Sequence, residues 1–191
     1  MNMTYKFINT IEQYEELLAI TDLEERKNYF RYTMMTPFKE MWNLINVPLK
    51  AKQENGYDVL VATKMLGYSD ISNDKQIQQG LSILKDNSAY TIAESTIKNC
   101  IEIANKAGLK VNADEIKFGL YVADPDKLKL QKGYTGFGGI PGFITVNIYP
   151  NDYNLPKVPA VIAHEFHHNI RFSYFDWDHG NVTVGDYLVI E

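Results

Sequence analysis

The 191-residue chain reads as an α+β protein, with a helical N-terminal part over residues 1–110 and a second part over residues 111–191 built from a small sheet and one long helix. Three observations carry this expectation. Capping-box starts and loosely helical apolar spacing run through the first hundred residues. The period changes to two over "EIKFGLYVAD", Glu115 to Asp124, where Ile116, Phe118, Leu120 and Val122 alternate with polar or small neighbours. Helical spacing then returns in "PKVPAVIAHEFHHNIRF", Pro156 to Phe172. Strands followed by such a helix predict helices gathered at one side of a small sheet, the two parts forming one compact unit.

Taken in order, "TIEQ" at Thr10 and "TDLE" at Thr21 both place a hydroxyl three residues ahead of an amide or carboxylate, the signature of a helix start. At "TPFKE", Pro37 suits the first helical position because its missing N–H is not needed there. Tyr29, Phe30, Met34, Phe38, Met41 and Trp42 form the apolar pattern between these starts and read as core. Gly56 and Gly67 delimit a short helix. Two more helices are expected over Asp74 to Leu84 and Ala89 to Ala107, the second closed by Gly108. After the first strand, the glycine-rich "GYTGFGGIPG" reads as a close-approach turn and "FITVNIY", Phe143 to Tyr149, as a second strand.

Composition narrows the function. A hydrophobic share of 45% with 23% charged residues is ordinary for a globular domain. A net charge of −5 and a pI near 5.4 exclude a general nucleic-acid binder, because no basic stripe exists to neutralise phosphates. The one basic cluster, "KLKLQK" at Lys127 to Lys132, is too short to alter that. With Cys100 as the sole cysteine, no internal disulfide can form, and the thiol reads as a small packing group. "MNMTYKFINT" has neither the basic nor the apolar region of a signal peptide, and no apolar run reaches the roughly 18 residues of a membrane span. The expectation is a cytoplasmic protein without a membrane span.

The chemistry is concentrated in one helix. Pro156 and Pro159 fit only a helix that starts close to them, and Val158, Ile162, Phe166 and Ile170 at fourfold spacing bury one of its faces. His164 and His168 are one turn apart on a common face, so both imidazoles can reach one metal ion. Glu165 stands about 100° round the helix, able to reach a metal-bound water without becoming a ligand. This is the HExxH arrangement. Zinc with three protein ligands keeps a place for water, lowers its pKa toward roughly 7 and polarises a peptide carbonyl, while the glutamate takes the proton as general base. His167 falls between the ligand positions and reads as a supporting or solvent-facing residue.

Two histidines need a third ligand. Downstream stand Asp176, Asp178, His179, Asp186 and Glu191. "DWDHGN" reads as a solvated turn. "TVGDYLVIE" starts on a capping Thr183 and puts Val184, Tyr187, Leu188 and Glu191 on one helical stripe. A carboxylate on an apolar stripe is costly unless paired or metal-bound, which selects Glu191.

With these residues identified, "VPAVIAHEFHHNIRF…TVGDYLVIE" resembles the gluzincins, the thermolysin-like zinc peptidases, and is similar to the bacterial YjaZ-like group of predicted zinc-dependent proteases. The resemblance implies a zincin-like fold, a Zn2+ cofactor and a peptide or protein substrate. It assigns His164, His168 and Glu191 as ligands and Glu165 as general base. It also implies that the strand ahead of the helix lies at the cleft edge and pairs with an extended substrate. That brings in Gly138 and Gly139 of the glycine-rich turn and Phe143, Ile144 and Thr145 of the strand. In the resembling proteins the second helix continues past the glutamate, so this chain is expected to be either a fragment or a naturally short form. Transition-state donors are then expected among Tyr134, Arg171, His179 and Tyr187. The rival expectations are a non-catalytic zinc- or peptide-binding module with an incomplete cleft, and a helical scaffold whose histidines bind nothing.

Overall fold

A four-stranded sheet organises the computed structural model, which describes residues 2–53 and 56–174. Its strands are β1 (Thr4–Ile8), β2 (Glu115–Val122), β3 (Tyr134–Ile140) and β4 (Phe143–Ile148), in the spatial order β1-β2-β4-β3. The first three in space run parallel, and β3 pairs antiparallel with β4 at the edge. Among the described residues there are also seven α-helices: α1 (Thr10–Ala19), α2 (Leu23–Tyr29), α3 (Lys39–Leu44), α4 (Val59–Met65), α5 (Asp74–Asp86), α6 (Ala89–Lys106) and α7 (Val158–Tyr174). The arrangement is mixed α/β.

The strand at the N-terminus departs from the helical reading of that region. "TYKFI" is too short to show a period, and its partner β2 lies more than a hundred residues away. Phe7 anchors it, with its ring 5.3 Å from that of Phe118.

β2 also differs, being buried on both faces rather than one. Ile116, Phe118 and Leu120 alternate with Gly119 and Tyr121, yet Tyr121 is as fully buried as Phe118. An inner parallel strand lies between two covering layers, so both of its faces leave water. On one side pack α5, α6 and α7, with Gly80 of α5 against Val122. The other side carries a π-helical turn, Phe30–Met34, a 3-10 turn, Thr36–Phe38, and α3. There the Phe38 ring meets Tyr121 at 6.2 Å and Phe143 at 6.3 Å, and the Tyr121 hydroxyl donates to the Met34 carbonyl. Helices therefore cover the sheet from both sides, not from one.

Two helix starts shift by one residue. Asn9, not Thr10, caps α1 by accepting from the Ile11 N–H, which frees the Thr10 hydroxyl to donate to the Leu120 carbonyl inside the core. Asp22, not Thr21, caps α2 through the Glu25 N–H at 2.8 Å. The ends of α5 and α6 follow the sequence closely, and Gly108 takes a positive φ of 73° just beyond α6. One hydrophobic cluster joins Trp42 and Phe38 with Phe118, Ile144 and Phe166, so residues before and after position 110 share a core.

Candidate metal centre

Backbone sterics explain where α7 begins. Pro156 sits in a 3-10 turn over Leu155–Lys157 and Pro159 in the first turn of the helix, two places where no N–H is required. Val158, Ile162 and Phe166 bury the inner face. His164 and His168 consequently point outward together. Their Nε2 atoms are 2.9 Å apart and the rings cross nearly at right angles, at 89°, with centroids 4.5 Å apart. Tetrahedral zinc, with Zn–N of roughly 2.0–2.1 Å, would hold two such nitrogens about 3.3 Å apart, so a few tenths of an ångström of ring movement separate this pair from a ligand pair. Burial lowers the pKa of His168, helped by His164, His167 and Arg171, and burial together with Arg171 and His164 lowers that of His167. Neutral rings keep the lone pairs that a metal needs. The Nδ1 of His168 is buried without a hydrogen-bond partner among the described residues.

Glu165 takes the opposite course. Its residue is 7% exposed, and its side chain turns toward the edge strand. A methyl group added to Gly136 of β3 would stand 2.5 Å from both Cγ and Cδ of Glu165. At Gly138 an added methyl would overlap the backbone carbonyl of the same residue. The two glycines thus let the helix approach the strand more closely than any side chain permits. Desolvation in that crevice lifts the Glu165 carboxyl to about 7, the range of a proton acceptor working near neutral pH.

Asn169 locks the contact. It is completely buried; its Nδ2 donates to the carbonyls of Gly138 (2.6 Å) and Phe143 (3.0 Å), and its Oδ1 accepts from the Gly142 N–H (2.8 Å). These bonds span the irregular pairing between Phe137 and Ile140 and fix the β3–β4 turn to the helix one turn beyond Glu165.

Residues 89–191, just over half of the chain, match the family described as "Predicted Zn-dependent protease (DUF2268)". The chain belongs to this family. It is also 60% identical over 182 residues to the uncharacterized protein YjfC of Bacillus subtilis (strain 168). That alignment takes in 95% of this chain and 60% of YjfC, so the chain spans about three-fifths of that relative's length. No solved structure matches it.

In this member of the predicted Zn-dependent protease family, the structure brings His164, Glu165, His168 and Gly138 together. Gly139 is half-buried on the same strand. Phe143, Ile144 and Thr145 lie elsewhere than expected. β4 is an inner strand, paired on one side with β2 and on the other with β3, so neither edge can take a peptide. Phe143 and Thr145 further face the layer opposite α7, and Ile144 is fully buried. The edge next to the helix belongs to β3, the segment read as a turn. Glu191 lies outside the described residues, as do Asp176, Asp178, His179, Asp186 and Tyr187. Among the described residues no third metal ligand joins the two histidines. Arg171 is half-buried on α7 and Tyr134 opens β3.

Two contributors went unread in the sequence. Asn169 follows Phe166 by three residues on the buried stripe, and an amide on that stripe signals a partner in need of hydrogen bonds. The other is Gly136, which precedes the candidate Gly138 by two residues, the period of one face of a strand. Among the described residues no helix is long and apolar enough to cross a membrane.

Proposed function

We propose that the chain carries a gluzincin-type peptidase site of zincin-like architecture, in which His164, His168 and Glu191 hold zinc and Glu165 is the general base of peptide hydrolysis. The observation that carries this reading is the convergence of the two Nε2 atoms beside a carboxyl set against the sheet edge. Zinc bound there supplies a Lewis acid for a substrate carbonyl and lowers the pKa of water. The work of the chain's own groups follows from their positions. His164 and His168 present their ring nitrogens from one rigid helical turn. Glu165 receives a proton on its carboxylate from the attacking water and returns it to the leaving amine, and its raised pKa matches both transfers. Among the described residues no strand pairs with the outer edge of β3 beside Glu165, so an extended peptide is oriented there by strand addition. Gly136 and Gly138 keep that strand close to the base.

The test pairs metal analysis with cleavage. The reading expects one zinc per chain, removable by chelator and lost in His164→Ala, with cleavage of an unfolded protein substrate abolished in Glu165→Gln. Zinc without cleavage would instead identify a metal- or peptide-binding module, and a chain that binds no zinc would refute both.

A further inference from the structure

At the end of β3 away from Ile140, the chain enters the strand through a basic groove of about 440 Å3, lined by Pro125, Lys129, Lys132, Gly133, Tyr149, Asn151 and Tyr153. No carboxylate lines it. All six ion pairs found among the described residues lie elsewhere, so Lys129, Lys132 and the neighbouring Lys157 have no acidic partner there, in a chain of net charge −5. The Tyr153 ring, 43% exposed, stands between two ammonium groups, with Lys132 Nζ 4.2 Å and Lys157 Nζ 3.7 Å from its centroid. Hydrogen bonding from Lys157, then from Lys132, holds the Tyr153 phenol below its usual pKa.

The groove is also held in place. Lys132 takes a left-handed backbone conformation, φ 57°, and its carbonyl accepts from Asn151 Nδ2 at 3.2 Å and Asn154 Nδ2 at 3.1 Å. Asn154 is itself buried and bonds the Tyr149 carbonyl at 2.8 Å. Two loops that meet only in the tertiary structure thus fix lysines around one ring.

Gly133 precedes Gly136, the glycine against Glu165, by three residues, a spacing of roughly 10 Å along a strand. We infer that this groove binds the carboxylate of an extended peptide laid along β3, about three residues from the bond that is cleaved. Lys132 and Lys157 supply charge-assisted hydrogen bonds, and the Tyr153 hydroxyl a third donor. The site therefore prefers peptides with an acidic side chain or a free C-terminus at that distance. The inference rests on the peptidase reading for its direction along the strand.

Binding is measured on the whole chain in chelator, where nothing is cleaved. Pools of extended dodecapeptides carrying a neutral fluorophore differ only in Glu or Gln at one position, and each is made with a free or an amidated C-terminus. Anisotropy is expected to show one carboxylate form binding about tenfold tighter than its neutral counterpart. That preference should weaken with salt and vanish in the folded double variant Lys132→Met/Lys157→Met. A preference for Glu identifies a side-chain carboxylate, and a preference for the free acid a terminal one. Equal binding of all forms, no binding, or a preference retained in the folded double variant overturns the inference. The comparison of Glu with Gln uses the wild-type chain and stands even if the variant does not fold. Adding zinc separates the two readings: cleavage without carboxylate preference removes the groove alone, whereas preference without cleavage removes the peptidase reading alone.

Discussion

Replacing Glu165 by Gln should stabilise the metal-free protein, by an amount that grows from about pH 4.5 and is complete above about pH 7. The wild-type carboxyl titrates at about 7 in the folded chain against an ordinary value of 4.5, with desolvation as the cause. Between those two pH values the folded state binds more protons than the unfolded state, so stability falls as pH rises. Below about pH 4.5 both states are protonated and nothing is lost. Above about pH 7 the full penalty is present, on the order of 3 kcal/mol. Gln keeps the shape and stays neutral throughout. Urea unfolding with chelator at about pH 5 and about pH 8 should show Glu165→Gln gaining roughly 2.5 kcal/mol on the wild type across that interval. A difference that stays flat with pH would mean that the carboxylate is solvated when folded and that the crevice against β3 does not desolvate it. Zinc should shrink the gain, because a nearby cation compensates the buried anion.

Other substitutions test the same geometry. Gly136→Ala should cost about 1–3 kcal/mol by overpacking against Glu165, and a double-mutant cycle with Glu165→Ala should recover most of it, read from denaturant midpoints. Asn169→Leu removes three buried hydrogen bonds, to the Gly142 N–H and to the Gly138 and Phe143 carbonyls, so a loss on the order of 3 kcal/mol or more is expected in the same assay. Away from the site, Arg31→Met strands the buried Asp58, its partner at 2.8 Å, and should destabilise by about 3 kcal/mol in thermal unfolding at neutral pH. A neutral result for Arg31→Met would mean that the hydrogen bonds of Asp58 to Leu60 and Ala51 suffice to hold its charge.

What could be read from the chain alone was whatever is encoded locally. Prolines at 156 and 159, fourfold apolar spacing and a histidine pair one turn apart determine α7 and its outward-facing donors, because helical geometry depends only on nearby residues. The same holds for α5, α6 and the ending at Gly108. What the sequence left open was strand order. β1 is only five residues long and its partner β2 lies more than a hundred residues away, while β3 has its strand signal diluted by three glycines and pairs with β4, the next strand along the chain. That order put β4 inside and β3 at the edge, moving the accessible strand away from Phe143, Ile144 and Thr145. It also set two glycines against Glu165, and buried contact with the sheet, not helical position, is what lifts that carboxyl toward neutral pH. The sequence by itself determined the donors; tertiary packing decided the environment of the acid beside them, since desolvation depends on what surrounds a group in space and not on its neighbours along the chain.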